Sequence, residues 1–274
     1  MSTPAKPTAA PKVTVPALRA RKGGDKVVAL TAYDVVFARL ADQAGVDVVL
    51  VGDSLGMVVQ GQASTLPVTV DDVVYHTRAV ARGAARAHLC ADMPFMSYQA
   101  SVEDGMRAAG RLVKDAGAES VKLEGGVEVA ELIRRLTRAG IPVMGHVGLT
   151  PQSLHKFGGF KIQGRTDEQR AAILEDARAV AEAGAFALVI EGVPRALAAD
   201  ITRAVSAVTI GIGAGPDCDG QVMVMHDLLG LEPAWKPRFV RRYAEMGAAA
   251  GQAFAAYADD VRAGRFPSKD ESWD

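Results

Sequence analysis

Covalent stapling is almost absent from this chain: its 274 residues hold two cysteines, Cys90 and Cys218. Two cysteines do not build a disulfide framework. Cys90 also lies inside an apolar, strand-like run, so both are expected to be reduced, buried thiols of a cytoplasmic protein. Long hydrophobic runs are missing too, and none approaches the ~18 residues that would span a bilayer. The opening MSTPAKPTAAPK lacks the apolar core of a secretory signal and reads as a disordered tail over residues 1–12. An excess of one charge is lacking as well. The chain carries 31 Lys+Arg and 32 Asp+Glu, for a formal net charge of -1. The two signs are interspersed, leaving no footprint for nucleic acid and no basic face for a membrane. What is present is apolar material, 49% of residues, enough for a sizeable core. The length suits one α/β barrel and does not require two domains.

Short β-branched runs alternate with Ala/Arg/Glu-rich stretches. The runs are KVVALTAYD, VDVVLVGDS, AHLCADMP, SVKLEGG, IPVMGHVGL, AFALVIEGV, VTIGIGAG and, less clearly, VMVMHDLLG. They are apolar on both faces, as buried parallel strands are. Several helical stretches end in Ala-Gly, where glycine tolerates the left-handed cap that reverses the chain. About eight strand–helix units imply an α/β fold closed as a (β/α)₈ TIM barrel over residues 13–263, followed by a C-terminal tail over 264–274. An open doubly wound sheet is the competing fold, but no GxGxxG follows the first strand. PDCDGQ is too short to hold a helix, so one connection is irregular. The last helix is expected from about Pro237 to Ala263.

Charged residues interrupt the apolar runs mainly at their C-terminal ends: Asp53-Ser54, Asp92, Lys122 with Glu124, His146 and Glu191. Each has a bland reading. An aspartate after a strand is commonly a helix cap, Lys122 and Glu124 can neutralise each other on one strand face, and a single histidine is commonly a satisfied core residue. Glu191 can bond backbone amides in its turn. Their concentration at one end of five successive runs, with the opposite ends largely uncharged, argues for a shared catalytic rim. Asp53, Asp92 and Glu124 form an oxygen-donor set suited to Mg²⁺. Glu191, opposite the second strand in barrel order, is free to act as a base. Lys122 offers a cation for a substrate carboxylate or an amine for a Schiff base, and a neighbouring Glu124 favours the first. GIGAGPDCDGQ suits either a phosphate or tight packing. STLPVTVDD predicts a helix start with Thr69 or Val70 near the cap. HKFGGFKIQGR reads as a rim lid or an oligomer contact.

The motifs VGDSLGMVVQG, STLPVTVDD, ADMPF, VKLEGG, GHVGLTPQS, VIEGVP and GIGAG together resemble the ketopantoate hydroxymethyltransferase family over roughly residues 12–263. The resemblance implies a barrel of the phosphoenolpyruvate/pyruvate type. It also implies transfer of the one-carbon unit of 5,10-methylenetetrahydrofolate to 3-methyl-2-oxobutanoate, giving 2-dehydropantoate in pantothenate and coenzyme A biosynthesis. It assigns Mg²⁺ ligation to Asp53 and Asp92, with Glu124 direct or through water, and substrate contacts to Asp53, Ser54, Asp92 and Lys122. Glu191 matches the proton acceptor; His146 is a site residue of open role. A homo-oligomer, a decamer, is implied, with a small 2-oxo acid and folate as the molecules bound. The chain departs from the pattern at Gln62-Ala63, where a more polar or acidic pair is expected. The competing activity is a metal-dependent 2-oxo-acid carbon–carbon lyase, which often uses a cysteine in a mobile loop.

Overall fold

Alternating apolar and glycine-punctuated sequence folds here into eight parallel strands that close on themselves. In the computed structural model, which describes residues 11–234 and 237–273, the order around the barrel is β1 to β8 in sequence order. The strands are β1 Val27–Thr31, β2 Val48–Val51, β3 His88–Asp92, β4 Ser120–Glu124, β5 Val143–Gly148, β6 Ala187–Glu191, β7 Val208–Ile212 and β8 Gly220–Met223. Thus VMVMHDLLG is only partly strand, because its second half turns into a short helix. The connection from β7 to β8 is irregular, as its length requires. Most of the N-terminal tail lies outside the described residues. The chain divides into two compact units, Met1–Val222 and Met223–Asp274.

In the first unit the helices are α1 Val15–Arg19, α2 Val35–Gln43, α3 Leu55–Val58, α4 Val70–Ala81, α5 Val102–Lys114, α6 Ala130–Arg138, α7 Leu154–Phe157, α8 Asp167–Glu182 and α9 Arg195–Ala204. Local chemistry sets their starts. Thr69 caps α4 reciprocally with Asp72, and Thr166 caps α8 with Gln169. Each such cap is worth about 1 kcal/mol. Strand residues alternate in direction. Outward positions meet helices: a Cβ at Gly145 would sit 2.3 Å from Val180 of α8. Inward positions form the barrel interior, where Val48, Leu50, Cys90, Met144, Val189 and Ile210 pack together with Leu18 of α1. Each fully buried Leu, Ile or Val contributes roughly 1.5–3 kcal/mol.

In the second unit, helices α10 Met225–Leu229 and α11 Met246–Arg262 follow β8. The last helix therefore begins nine residues later than the sequence suggests. The preceding segment is spent on other bonds: Val240 N–H donates to Pro237 O, and Tyr243 N–H donates to Leu228 O. Residues Lys269–Glu271 form a short 3₁₀ turn. No described helix is long and apolar enough to cross a membrane.

Candidate active site

Period-two alternation decides which side chains share the barrel mouth. Cys90 faces the inner core, so Asp92 two residues on faces inward above it; Met144 and His146, and Val189 and Glu191, repeat the pattern. Each inward ladder runs from apolar to charged toward the C-terminal strand ends. Register then sets neighbours: Asp92 pairs with Lys122 across β3–β4, and Glu124 with His146 across β4–β5.

Lys122 Nζ donates to Asp92 Oδ1 at 2.8 Å, both side chains being buried. Sequence reading paired Lys122 with Glu124, two residues along its own strand; register places Asp92 directly beside it instead. Burial works against the ammonium, but Asp92 first, then Glu124 and Asp53, hold Lys122 above the usual lysine range. A lysine kept protonated is a poor Schiff-base amine, which favours the carboxylate-binding alternative. Asp92 Oδ2 accepts from the Asp53 backbone N–H at 2.9 Å. The Asp53 carboxyl is pushed up to about 8, by burial first and then by Asp92 and Glu124. A Cβ at Gly52 would lie 2.6 Å from Ser54 Oγ, so that hydroxyl would have to turn away.

His146 stands between two acids, with Nδ1 3.5 Å from Glu124 Oε1 and Nε2 3.2 Å from Glu191 Oε2. Burial and Lys122 press its pKa down, yet Glu124 and Glu191 outweigh them and lift it to about 9. The two acids therefore favour the protonated ring, although neither ring nitrogen makes a hydrogen bond of good geometry. Glu191 keeps 18% of its side chain exposed, so it is less enclosed than a fully buried base; it ends β6 at the barrel mouth. In the closed order, β6 lies opposite β2, the strand that leads into Asp53.

Four further residues organise the site, and sequence reading gave them no role. Gln152, buried just after β5, donates from Nε2 to Asp53 Oδ2 at 2.9 Å and to Met93 O at 3.0 Å. Its backbone N–H donates to Glu124 Oε2 at 3.0 Å. Tyr98 Oη donates to Gln152 Oε1 at 2.8 Å, and Gln99 Nε2 donates to the same oxygen at 2.9 Å. With its acceptor and its donors both engaged, the amide has one orientation. Tyr33 Oη shares a 2.8 Å hydrogen bond with Ser54 Oγ. These residues are neutral and mostly sit in loops, so they break no hydrophobic pattern. Gln152 lies inside the quoted GHVGLTPQS and Tyr33 inside KVVALTAYD, while Tyr98 and Gln99 follow ADMPF, and that placement was their only signal.

Among the described residues, no three His, Cys, Asp or Glu side chains are arranged to enclose a metal. Asp53, Asp92 and Glu124 nevertheless offer carboxylate oxygens at one mouth, and each carboxylate retains lone pairs beyond the bonds described. Cys90 is buried in the barrel interior and Cys218 is buried before β8. Neither sits in an exposed loop, as the competing lyase chemistry would ask. Gln62 and Ala63 are exposed, with Gln62 N–H donating to Gly56 O at 2.8 Å.

Solved structures share this architecture. Phosphonopyruvate hydrolase superposes with a TM-score of 0.64 at 16% identity, covering 97% of this chain and 92% of that one. A 2,3-dimethylmalate lyase, described as a PEP mutase/isocitrate lyase superfamily member, superposes with a TM-score of 0.59 at 18% identity, covering 94% and 91%. These likenesses agree with the observed fold, a (β/α)₈ barrel. Sequence carries more. The family profile described as ketopantoate hydroxymethyltransferase matches residues 12–269. The 3-methyl-2-oxobutanoate hydroxymethyltransferase of Pelobacter propionicus (strain DSM 2379) is 53% identical over 263 residues, which span 96% of this chain and 97% of that protein. The chain belongs to the ketopantoate hydroxymethyltransferase family and is a transferase enzyme.

Proposed function

We propose that this enzyme transfers a hydroxymethyl unit from 5,10-methylenetetrahydrofolate to 3-methyl-2-oxobutanoate, giving 2-dehydropantoate on the route to pantothenate. One observation carries the reading. A chain 53% identical to a relative named for this substrate gathers acids and fixed cations at one barrel mouth, the place barrel enzymes use for chemistry.

A magnesium ion fits Asp53 and Asp92, with Glu124 direct or through water. The donors are all oxygens, and the crowding that raises Asp53 is the kind a divalent cation relieves. When bound, it supplies Lewis-acid polarisation of the substrate's keto group. The chain's residues do the rest. Lys122 and Ser54 hold the substrate carboxylate, Ser54 being oriented by Tyr33. Glu191 takes the proton from the branched carbon next to the ketone. His146, charged beside Glu191, keeps that carboxylate aimed. The carbon then bonds to the donor's methylene carbon as the first of that carbon's two bonds to folate nitrogens breaks. Water displaces the second nitrogen and leaves its oxygen as the hydroxyl, while the proton taken from the branched carbon and one proton of the water end on the two nitrogens of the departing tetrahydrofolate.

Incubation of the pure protein with the oxo acid, the folate donor and Mg²⁺, followed by product mass, tests this. The expected result is the oxo acid plus one hydroxymethyl group. No product, or cleavage of a 2-methylisocitrate-like acid instead, would sink it.

A further inference from the structure

The segment after β5, residues 154–166, leaves the same barrel mouth as His146. Gln163 N–H donates to Gly192 O at 2.9 Å, so the segment is bonded to the residue next to Glu191. Between this segment and the start of α8 lies a cleft of about 820 Å³, a size that takes a small molecule. Lys156, Lys161 and Arg165 line it with Phe157 and Phe160, and no acidic residue does so among the described residues. Gly158 (φ 64°) and Gly159 (φ 117°) make the turn that sets the two rings on one segment.

Neighbouring arginines are paired: Arg170 with Asp200 at 3.1 Å and Arg195 with Asp217. Among the described residues, none of the three cleft cations has an acid within 4.0 Å; Lys156 instead places its ammonium 5.9 Å from the Phe157 ring centre. Phe160 is 46% exposed beside them. Asp176 lies near enough to Lys156 to feel its charge, but the three cations outnumber it; such a cluster attracts anions, and exposed rings beside it attract flat π-systems. A ligand that satisfies both is an aromatic molecule bearing several carboxylates.

We propose that this cleft seats the folate donor, its ring system against Phe157 and Phe160 and its glutamyl carboxylates on Lys156, Lys161 and Arg165. The identity of the ligand rests on the proposed function; the charge and ring chemistry of the cleft do not.

The test separates the two. Exchange of the oxo acid's branched-carbon proton in D₂O needs Mg²⁺ and Glu191 but no folate. In the Lys161→Glu/Arg165→Glu variant, exchange stays within about two-fold of the parent while KM for the donor rises roughly ten-fold or more. The rise is larger for a triglutamyl than for a monoglutamyl donor. Phe157→Leu raises KM equally for both. Added salt weakens donor use by the parent and not by the double variant. Unchanged donor KM with intact exchange overturns the assignment. So does a changed assembly size in light scattering with unchanged KM, which would make the segment a subunit contact. If the parent itself shows no exchange, the proposed function fails, and direct fluorescence titration with tetrahydrofolate decides the cleft alone. Weaker binding by the double variant supports it, and equal binding overturns it.

Discussion

Both ends of the barrel bury acidic side chains, but they treat them in opposite ways. Where the strands begin, Asp47 accepts from Val28 N–H at 3.0 Å and is paired with Arg21 at 2.7 Å and Arg86 at 3.1 Å. Asp219 accepts from Thr209 N–H at 2.7 Å, Gly23 N–H at 3.0 Å and Lys22 Nζ at 2.9 Å. Burial opposes ionisation of both, yet these donors hold both carboxyls below the ordinary range. Where the strands end, Asp53 meets two more acids and is pushed up to about 8, by burial and then by those neighbours. One end has each charge answered by donors and contributes stability. The other leaves like charges crowded, a state that is costly in the free protein and useful to a cation or an anionic substrate. Buried charge is therefore not a sign of function by itself; a surplus of crowded acids over the cations beside them is the sign.

The largest effect should follow from Glu191→Gln. Removing the base leaves size and hydrogen bonding in place, so the oxo acid should still bind. Proton exchange in D₂O, read by NMR, should fall by about 10²–10⁴-fold. Unchanged exchange would place the base elsewhere and break the distinction between the two ends.

Next in size is Asp219→Ala, at the opposite end. It strands Lys22 and the amides of Thr209 and Gly23. A loss of about 3 kcal/mol is expected in denaturant unfolding, with kcat per folded molecule unchanged. A selective loss of kcat would show that the strand-beginning end takes part in the chemistry.

The smallest effect sharpens the contrast through its sign. For Asp47 and Asp219 the folded pKa is depressed, so their stabilisation is present above the unfolded value near 4 and is lost as pH falls through the folded values. For Asp53 the folded pKa is raised to about 8. Between about pH 4 and 8 the folded protein then holds the extra proton, and metal-free stability declines as pH rises through that window, by about 1–3 kcal/mol. Mg²⁺ should restore it, and Asp53→Asn should flatten the slope while weakening Mg²⁺ binding in calorimetry. A metal-free protein whose stability does not fall between pH 5 and 8 would contradict the crowding described here.

Sequence reading erred on this same contrast. It took the opposite strand ends as largely uncharged, although Asp47, His88 and Asp219 are buried there. His88 is held neutral by burial, its pKa lowered to about 4, with Nε2 2.8 Å from Ser120 Oγ. Asp47 and Asp219 sit at or just before the strand starts, where a lone acid carries no periodic signal. Their partners Arg21, Lys22 and Arg86 come from distant stretches of chain, so pairing could not be read along the sequence. The inward acids were legible because each interrupts an apolar run, and a single charge in a buried strand is conspicuous.

The alternation of apolar runs with Ala/Arg/Glu stretches determined the barrel, because a strand apolar on both faces must be covered and a crossover helix covers it. Period two along each strand likewise determined that Asp92, Lys122, Glu124, His146 and Glu191 could share one interior. Which of them touch was decided only by tertiary structure. Closure and register put Asp92 beside Lys122, set His146 between Glu124 and Glu191, and brought Gln152 and Tyr98 from loops to orient the acids. Register between strands is a matter of spatial neighbours, which a linear order of residues does not specify.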